Sequence, residues 1–434
     1  MAEIRPFSGI QYASEFRSRL AELVTPPYDV ISPEQQNTYY QRDPNNIIRL
    51  ELGRDEPGDD RLNNRYTRAA AAFAEWRMQG IMRQESQPVM YLYRQGFPHD
   101  GRTLWRTSLL TAVRLEPWEA GVVLPHEHTM SKPKDDRLKL LRACAANLSP
   151  LMSLYEDPQG QLSQLLVRLA DQQPEVQFTD DAHEQHWLLA IRDSATLKEL
   201  QAFFATRKLF MADGHHRYET ALAYRDEIRE MRKELHPDDA ANFVLMSLSA
   251  FEDPGLVILP THRIVKGVST ERLSHLSEKL QERFLVERMS DQTPADLALA
   301  ALEAEGGLGV FVVVTPEQMF RLKARPIAKE PMAATGRSTP WCKLDVAMLQ
   351  TLVMDQTLGL SVEAVTRGDF LSYTRNAADA IAAVRSGKAQ LAVLLRPTRV
   401  EQLRDVAAIG EKMPQKSTYF YPKLITGLVI HPLW

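Results

Sequence analysis

One stretch constrains this chain more than any other: Leu209-Phe210-Met211-Ala212-Asp213-Gly214-His215-His216-Arg217-Tyr218-Glu219. A short apolar run meets Asp-Gly, and two histidines and an arginine then open a helix-forming run to Leu235. That order predicts a strand, a tight turn and a helix N-terminus. Such a terminus offers unpaired N–H groups and the positive end of the dipole, so it attracts anions. Arg217 is suited to fork onto phosphate or carboxylate oxygens. Gly214 would let the backbone approach a ligand closely. His215 or His216 would bind phosphate or move a proton near neutral pH. Asp213 has three readings: a helix cap, a general base that takes a hydroxyl proton, or a ligand of a magnesium ion.

Three further segments carry candidate chemistry. Val122-Val123-Leu124 runs as a strand into Pro125-His126-Glu127-His128-Thr129, followed by Lys134, Asp136, Arg137 and Arg142. His126 and Glu127 directly follow an apolar strand, where functional loops tend to sit. The bland reading of Lys134 to Arg142 is a solvated helix with ion pairs at one-turn spacing. His126 and His128 alternate, which permits a metal without specifying one, and the His-Glu-x-x-His spacing of metalloproteases is absent. Lys416, Ser417 and Thr418, with Lys423 nearby, place cations and hydroxyls in a polar loop suited to an oxyanion. Pro260-Thr261-His262-Arg263 is the weakest of these segments, since a lone histidine is more often structural. Neither a Gly-x-x-x-x-Gly-Lys-Ser phosphate loop, a Gly-x-Gly-x-x-Gly fingerprint nor a Gly-x-Ser-x-Gly elbow occurs.

At 434 residues the chain has room for two or three domains. Strands alternate with helices throughout, which predicts a mixed α/β or α+β architecture. The texture changes after Gly267, so we expect a core domain over 1–267 carrying the His126 and Asp213 motifs. An α+β C-terminal domain over 268–434 would follow, its tail loop 413–423 returning to the site. Strands are expected at 46–53, 88–94 and 104–115, the last two joined by a loop near 96–101, and a helix at 61–82. A net charge of −4 argues against a nucleic-acid footprint. The two cysteines, Cys144 and Cys342, are far apart, which argues against a cysteine-ligated zinc and for buried thiols in a reducing compartment. With no signal-like N-terminus and no apolar run of membrane-spanning length, a cytoplasmic location is expected.

These segments together resemble the bacterial and archaeal family 1015 of domains of unknown function. The resemblance rests on Leu124-Pro125-His126-Glu127, Pro133-Lys134, Asp136-Arg137-Leu138, Ala146-Asn147-Leu148-Ser149-Pro150, Ala212 to Tyr218, Leu259 to Arg263, Met413 to Thr418 and Thr25 to Val30. The family name carries no activity. Asp213-Gly214-His215-His216-Arg217 also looks like the Asp-Gly-His-x-Arg signature of archaeal free serine kinases, whose fold is shared with ParB-type partition proteins and sulfiredoxin. That likeness implies a ParB/sulfiredoxin-like nucleotide-binding core. It makes Asp213 the candidate base and Gly214 to Arg217 the phosphate cradle; the kinases' other acidic residue has no aligned counterpart here, and Glu127, with His126 beside it, is the residue we assign to that place. Lys134, Arg137 and Lys416, with Ser417 and Thr418, would supply charge and hydroxyls to the nucleotide. The implied activity is phosphoryl transfer from ATP or ADP, with Mg2+, to a small hydroxyl metabolite such as serine. Two alternatives stand beside it: a non-catalytic nucleotide-sensing or DNA-associated module, and a metal-dependent hydrolase using the histidine-rich segments.

Overall fold

The computed structural model describes the chain except residues 130, 363 and 365–369, and except the side chains of 131–133, so the Pro133 side chain lies outside the described residues. The chain forms two compact units, one of Met1–Pro125, Thr129–Val257 and Pro422–Trp434, the other of His126–His128 and Ile258–Tyr421. The strand His262–Val265, ahead of the change in texture at Gly267, belongs to the second unit, and the last thirteen residues of the chain belong to the first.

The main sheet of the first unit is built from β1 (Ile4–Arg5), β2 (Met90–His99), β3 (Arg102–Arg114), β4 (Val123–Leu124), β5 (Leu151–Tyr155), β6 (Val176–Thr179), β7 (Gln185–Ile191), β8 (Leu209–Asp213) and β9 (Phe243–Ala250). Among the described residues they make one mixed sheet in the order β4-β8-β5-β9-β3-β2-β7-β6, with β1 on β3. The pairs β8–β4 and β9–β5 are parallel and the others antiparallel. Alternate residues such as Leu92, Leu109, Val113, Met211, Val244 and Met246 are fully buried in one core. Helices α1 (Arg65–Met78), α2 (Ser131–Cys144), α3 (Gln161–Ala170), α4 (Ser194–Phe204) and α5 (His215–Arg232) accompany the sheet. Leu162, Leu165 and Leu166 of α3, and Leu200 and Phe204 of α4, join that core. Leu138 and Leu141 of α2 meet Tyr224 and Ile228 of α5 in a separate apolar patch.

Local chemistry moves three of the expected boundaries. Helix α1 begins later than residue 61 because Asn64 caps it, its side chain accepting from the N–H groups of Tyr66 and Thr67. The loop expected near 96–101 contracts to two residues. Asp100 and Gly101 both have positive φ, 48° and 75°, and His99 pairs with Arg102. That is the Asp-Gly turn whose twist matches antiparallel strands. Residues 46–53 are not a strand: Ile48–Glu51 is a short helix, started by the Asn46 side chain accepting from the Ile48 N–H at 2.8 Å. Ile47, Ile48 and Leu50 are all buried, so apolar residues on several sides of one turn imitate alternation.

The second unit holds β10 (His262–Val265), β11 (Phe284–Met289), β12 (Val310–Val314), β13 (Met319–Ala324), β14 (Leu371–Thr374) and β15 (Leu391–Leu395), antiparallel throughout in the order β11-β13-β12-β15-β10-β14. Helices α6 (Ala295–Ala304) and α7 (Ala377–Arg385) pack on it through Ala298, Leu302, Ala380 and Ile381. The whole is a mixed α+β protein. Cys144 is buried, while Cys342 is only half-buried, and both are free thiols. Among the described residues no helix is long and apolar enough to cross a membrane.

Candidate functional site

Strand β8 ends at Asp213, Gly214 turns the chain at φ +95°, and α5 starts at His215, as the local sequence requires. A Cβ on Gly214 would lie 3.0 Å from Leu151 Cγ and 3.2 Å from Arg217 Nη2, so close approach and backbone conformation both demand glycine. The Asp213 side chain does not cap the helix. Its Oδ1 accepts from Lys423 Nζ at 2.5 Å and its Oδ2 from Arg217 Nη2 at 3.2 Å. Arg217 Nη1 donates to Ser149 Oγ at 2.7 Å and to the Pro150 carbonyl at 3.0 Å. Burial alone would raise the Asp213 carboxyl, but Lys423 and then Arg217 outweigh it and hold it well below the usual carboxylate range. His215 is buried and adds to that field, and His216 is half-buried.

Sequence reasoning passed over the carboxylate behind Arg217. Glu51 lies on the short helix that was expected to be a strand, and it is 2 % exposed. Arg137, one of the anticipated phosphate ligands, is also buried and donates through Nη1 to the Glu51 carbonyl at 2.9 Å. The same Nη1 lies 3.5 Å from Glu51 Oε1, and Arg137 Nη2 lies 2.5 Å from Asp136 Oδ2. Ser149 Oγ is 3.4 Å from Glu51 Oε1. Burial lifts the Glu51 carboxyl above its ordinary range, an effect that Arg137 and Arg217 only partly offset. Glu51, Arg137, Ser149 and Arg217 line one cavity of about 50 Å³, walled by Leu140, Leu141, Leu148 and Leu151.

Lys134 is not part of this group. Its Nζ donates to Glu219 Oε2 at 2.9 Å, and Glu219 also accepts from Thr129 Oγ1 at 2.7 Å and Trp118 Nε1 at 3.2 Å. Lys134 lines a separate groove with Asp135, Glu119 and Glu219. The ion pair that Lys134 makes is not the one-turn pair expected within its own helix: its partner, Glu219, stands on α5, 85 residues away.

The remaining anticipated residues meet in the second unit, across nearly 300 residues of sequence. His126 Nε2 is 2.9 Å from Thr418 Oγ1, and Glu127 Oε1 accepts from the Lys416 N–H at 2.9 Å. The Met413 N–H donates to the His126 carbonyl at 2.7 Å. Lys416 sits at φ +56°, and Ser417 is held from both sides, its carbonyl accepting from Thr398 Oγ1 at 2.7 Å and its hydroxyl donating to the Pro414 carbonyl. Buried Arg263 donates to the Gln415 carbonyl at 3.4 Å and lies over the Tyr373 ring. The segment dismissed as weakest thus supports the Lys416 loop. Among the described residues neither the His126/His128 pair nor the His215/His216 pair belongs to a group of three potential metal ligands.

Comparison with known proteins adds a family and no activity. No curated protein matches the chain. Solved structures that resemble it include a conserved hypothetical protein from Pyrococcus furiosus, 12% identical, with TM-score 0.35, covering 74% of this chain and 94% of its own. A free serine kinase in complex with AMP is 11% identical, with TM-score 0.36, covering 72% and 86%. SbnI with a C-terminal truncation, from Staphylococcus aureus, is 11% identical, with TM-score 0.34, covering 75% and 87%. At such scores these likenesses carry no weight for the activity. The family model is another matter, since it matches residues 4–347, well over half of the chain, including Glu51, Arg137, Asp213 and Arg217 but not Lys423. The chain belongs to the family of proteins of unknown function DUF1015.

Proposed function

We propose that the first unit binds the phosphates of ATP or ADP at the Gly214 turn and transfers a phosphoryl group to the hydroxyl of a small metabolite such as serine. The supporting observation is a pair of carboxyls with opposite shifts on either side of Arg217: Asp213 lowered by two cations, Glu51 raised by burial. Environments that drive two carboxyls apart divide their roles. A carboxylate as firmly paired as Asp213 is a weak proton acceptor, so the role of base passes from Asp213 to Glu51. Asp213 instead positions Lys423 and Arg217. The acceptor oxygen attacks the terminal phosphorus, the bond to the bridging oxygen breaks, and the hydroxyl proton goes to Glu51. Phosphoryl transfer asks mainly for positioning and charge neutralisation, which Arg217, Lys423 and the start of α5 are suited to supply. A magnesium ion carried in with the nucleotide would neutralise further phosphate charge. The motif likeness of Asp213 to Arg217 to free serine kinases points the same way.

Calorimetric titration of the full chain with ATP or ADP, with and without Mg2+, tests the reading. Arg217→Ala should weaken binding at least tenfold. Glu51→Gln should bind as the wild type does and lose phosphoryl transfer to L-serine and related hydroxyl compounds by about 100-fold or more. Absence of binding at millimolar nucleotide would remove the proposal. Tight binding without transfer to any hydroxyl acceptor would turn it into a nucleotide sensor.

A further inference from the structure

A second cluster of chemistry-bearing groups lies in the first unit, on the turn between β6 and β7 and on the first residues of β7. Asp180, Glu184 and His186 each offer a ligand atom, and these atoms all lie within 4.8 Å of one another. The spacing has a simple origin. Asp180 Oδ1 accepts from the N–H groups of Ala182 and Glu184, both at 2.9 Å, which folds the turn and leaves Oδ2 directed at the imidazole. Glu184 and His186 are two residues apart in extended chain and so share a face.

The histidine is already set for coordination. It is fully buried, stacked on Phe178 at a centroid distance of 4.7 Å, and its Nδ1 lies 2.8 Å from Tyr93 Oη. With Nδ1–H donated to that hydroxyl, the lone pair of Nε2 points toward Asp180. Metal-bound histidines are oriented by just such a bond on the other ring nitrogen. The separation of Nε2 from Asp180 Oδ2 is 3.3 Å. A charge-assisted N–H···O bond closes to about 2.7–2.9 Å. Two ligands each about 2.0–2.1 Å from a shared tetrahedral ion stand roughly 3.3–3.4 Å apart. The separation of this pair is that of two ligands on one ion, and with all three ligand atoms within 4.8 Å of one another an ion would draw the carboxylates in.

We propose that Asp180, Glu184 and His186 bind a first-row divalent cation, Zn2+ or Mn2+, which clamps the β6–β7 turn at the edge of the sheet. One imidazole and two carboxylates suit such ions better than copper(I), which prefers sulfur, or magnesium, which prefers oxygen alone. The clamp also bears on the nucleotide site. His186 lies opposite Gln95 in the sheet, and Gln95 Nε2 donates to the Lys423 carbonyl at 3.0 Å. Fixing the β7 register steadies the strand that holds the lysine paired with Asp213. The clamp does not depend on the phosphotransferase reading.

Metal-stripped full-length protein titrated with Zn2+ alone, and separately with Mn2+ alone, tests the proposal by calorimetry. One equivalent should bind, and Asp180→Asn and Glu184→Gln should each weaken it at least tenfold. Tyr93→Phe, which touches only the orienting bond, should weaken it by about tenfold. His186→Ala removes a buried ring, so its folding is checked by circular dichroism, and the two carboxylate variants keep the test decisive if it unfolds. Failure of both ions to bind stoichiometrically, or equal uptake by wild type and both carboxylate variants, would overturn the site and leave a His186–Asp180 ion pair.

Discussion

At the scale of single residues, two glycines separate strain from crowding. Gly214 and Gly101 both have positive φ, but only at Gly214 would a Cβ meet other atoms. Gly101→Ala should therefore lower stability by about 1 kcal/mol through backbone strain alone, leaving ligand binding unchanged. Gly214→Ala should cost about 1–3 kcal/mol and also displace the Arg217 guanidinium, weakening nucleotide binding. Thermal denaturation together with calorimetric titration of the two variants checks the contrast, and equal losses of binding would contradict it. The carboxyls differ in the pH range where they act. Asp213 lies below its unfolded value, so its contribution is present at neutral pH and is lost as pH falls below about 4. Asp213→Asn should therefore be less stable than the wild type at pH 7, and the difference should narrow progressively as pH falls below about 4. Glu51 lies above its ordinary value, so turnover should rise with pH through an inflection above the usual glutamate range that Glu51→Gln abolishes.

At the scale of elements, the strand-turn-helix of β8 and α5 was fully legible, because its signals are contiguous: an apolar run, Asp-Gly, then helix formers. The Asp100–Gly101 hairpin was written just as locally, but Gly96 drew attention away from it. Its Cβ position is filled by the Trp105 ring across the ladder, so that glycine serves packing within a strand rather than a turn. The helix at Ile48–Glu51 was misread because periodicity over four residues cannot distinguish a buried turn from a strand. That error concealed Glu51. Leu349–Thr357 forms a π-helical stretch that continues from the short helix Asp345–Met348.

For the molecule as a whole, two buried histidines set an acid limit. His431 in the first unit is held down to about 3, and His262 in the second to about 4, in both cases mainly by burial. Each is neutral when folded and takes up a proton on unfolding, so the unfolded chain binds more protons below about pH 6.5. Stability should therefore fall as pH drops through 6 and level off only near those depressed values. Urea denaturation from pH 7.5 to 4 measures the slope. His431→Gln and His262→Gln should each flatten it, and a slope unchanged in both variants would place the acid sensitivity elsewhere.

From its residues alone the chain specified a mixed α+β architecture, the strand-turn-helix at Gly214 and the family to which it belongs, since each is encoded in short contiguous patterns. Tertiary structure alone decided which charges act on one another. Lys423 reaches Asp213 across 210 residues, Glu51 and Arg137 close behind Arg217, and Lys134 turns to Glu219 instead. A side chain's charge, burial and partner depend on what packs around it, and the strands and helices that do the packing come from distant parts of the chain.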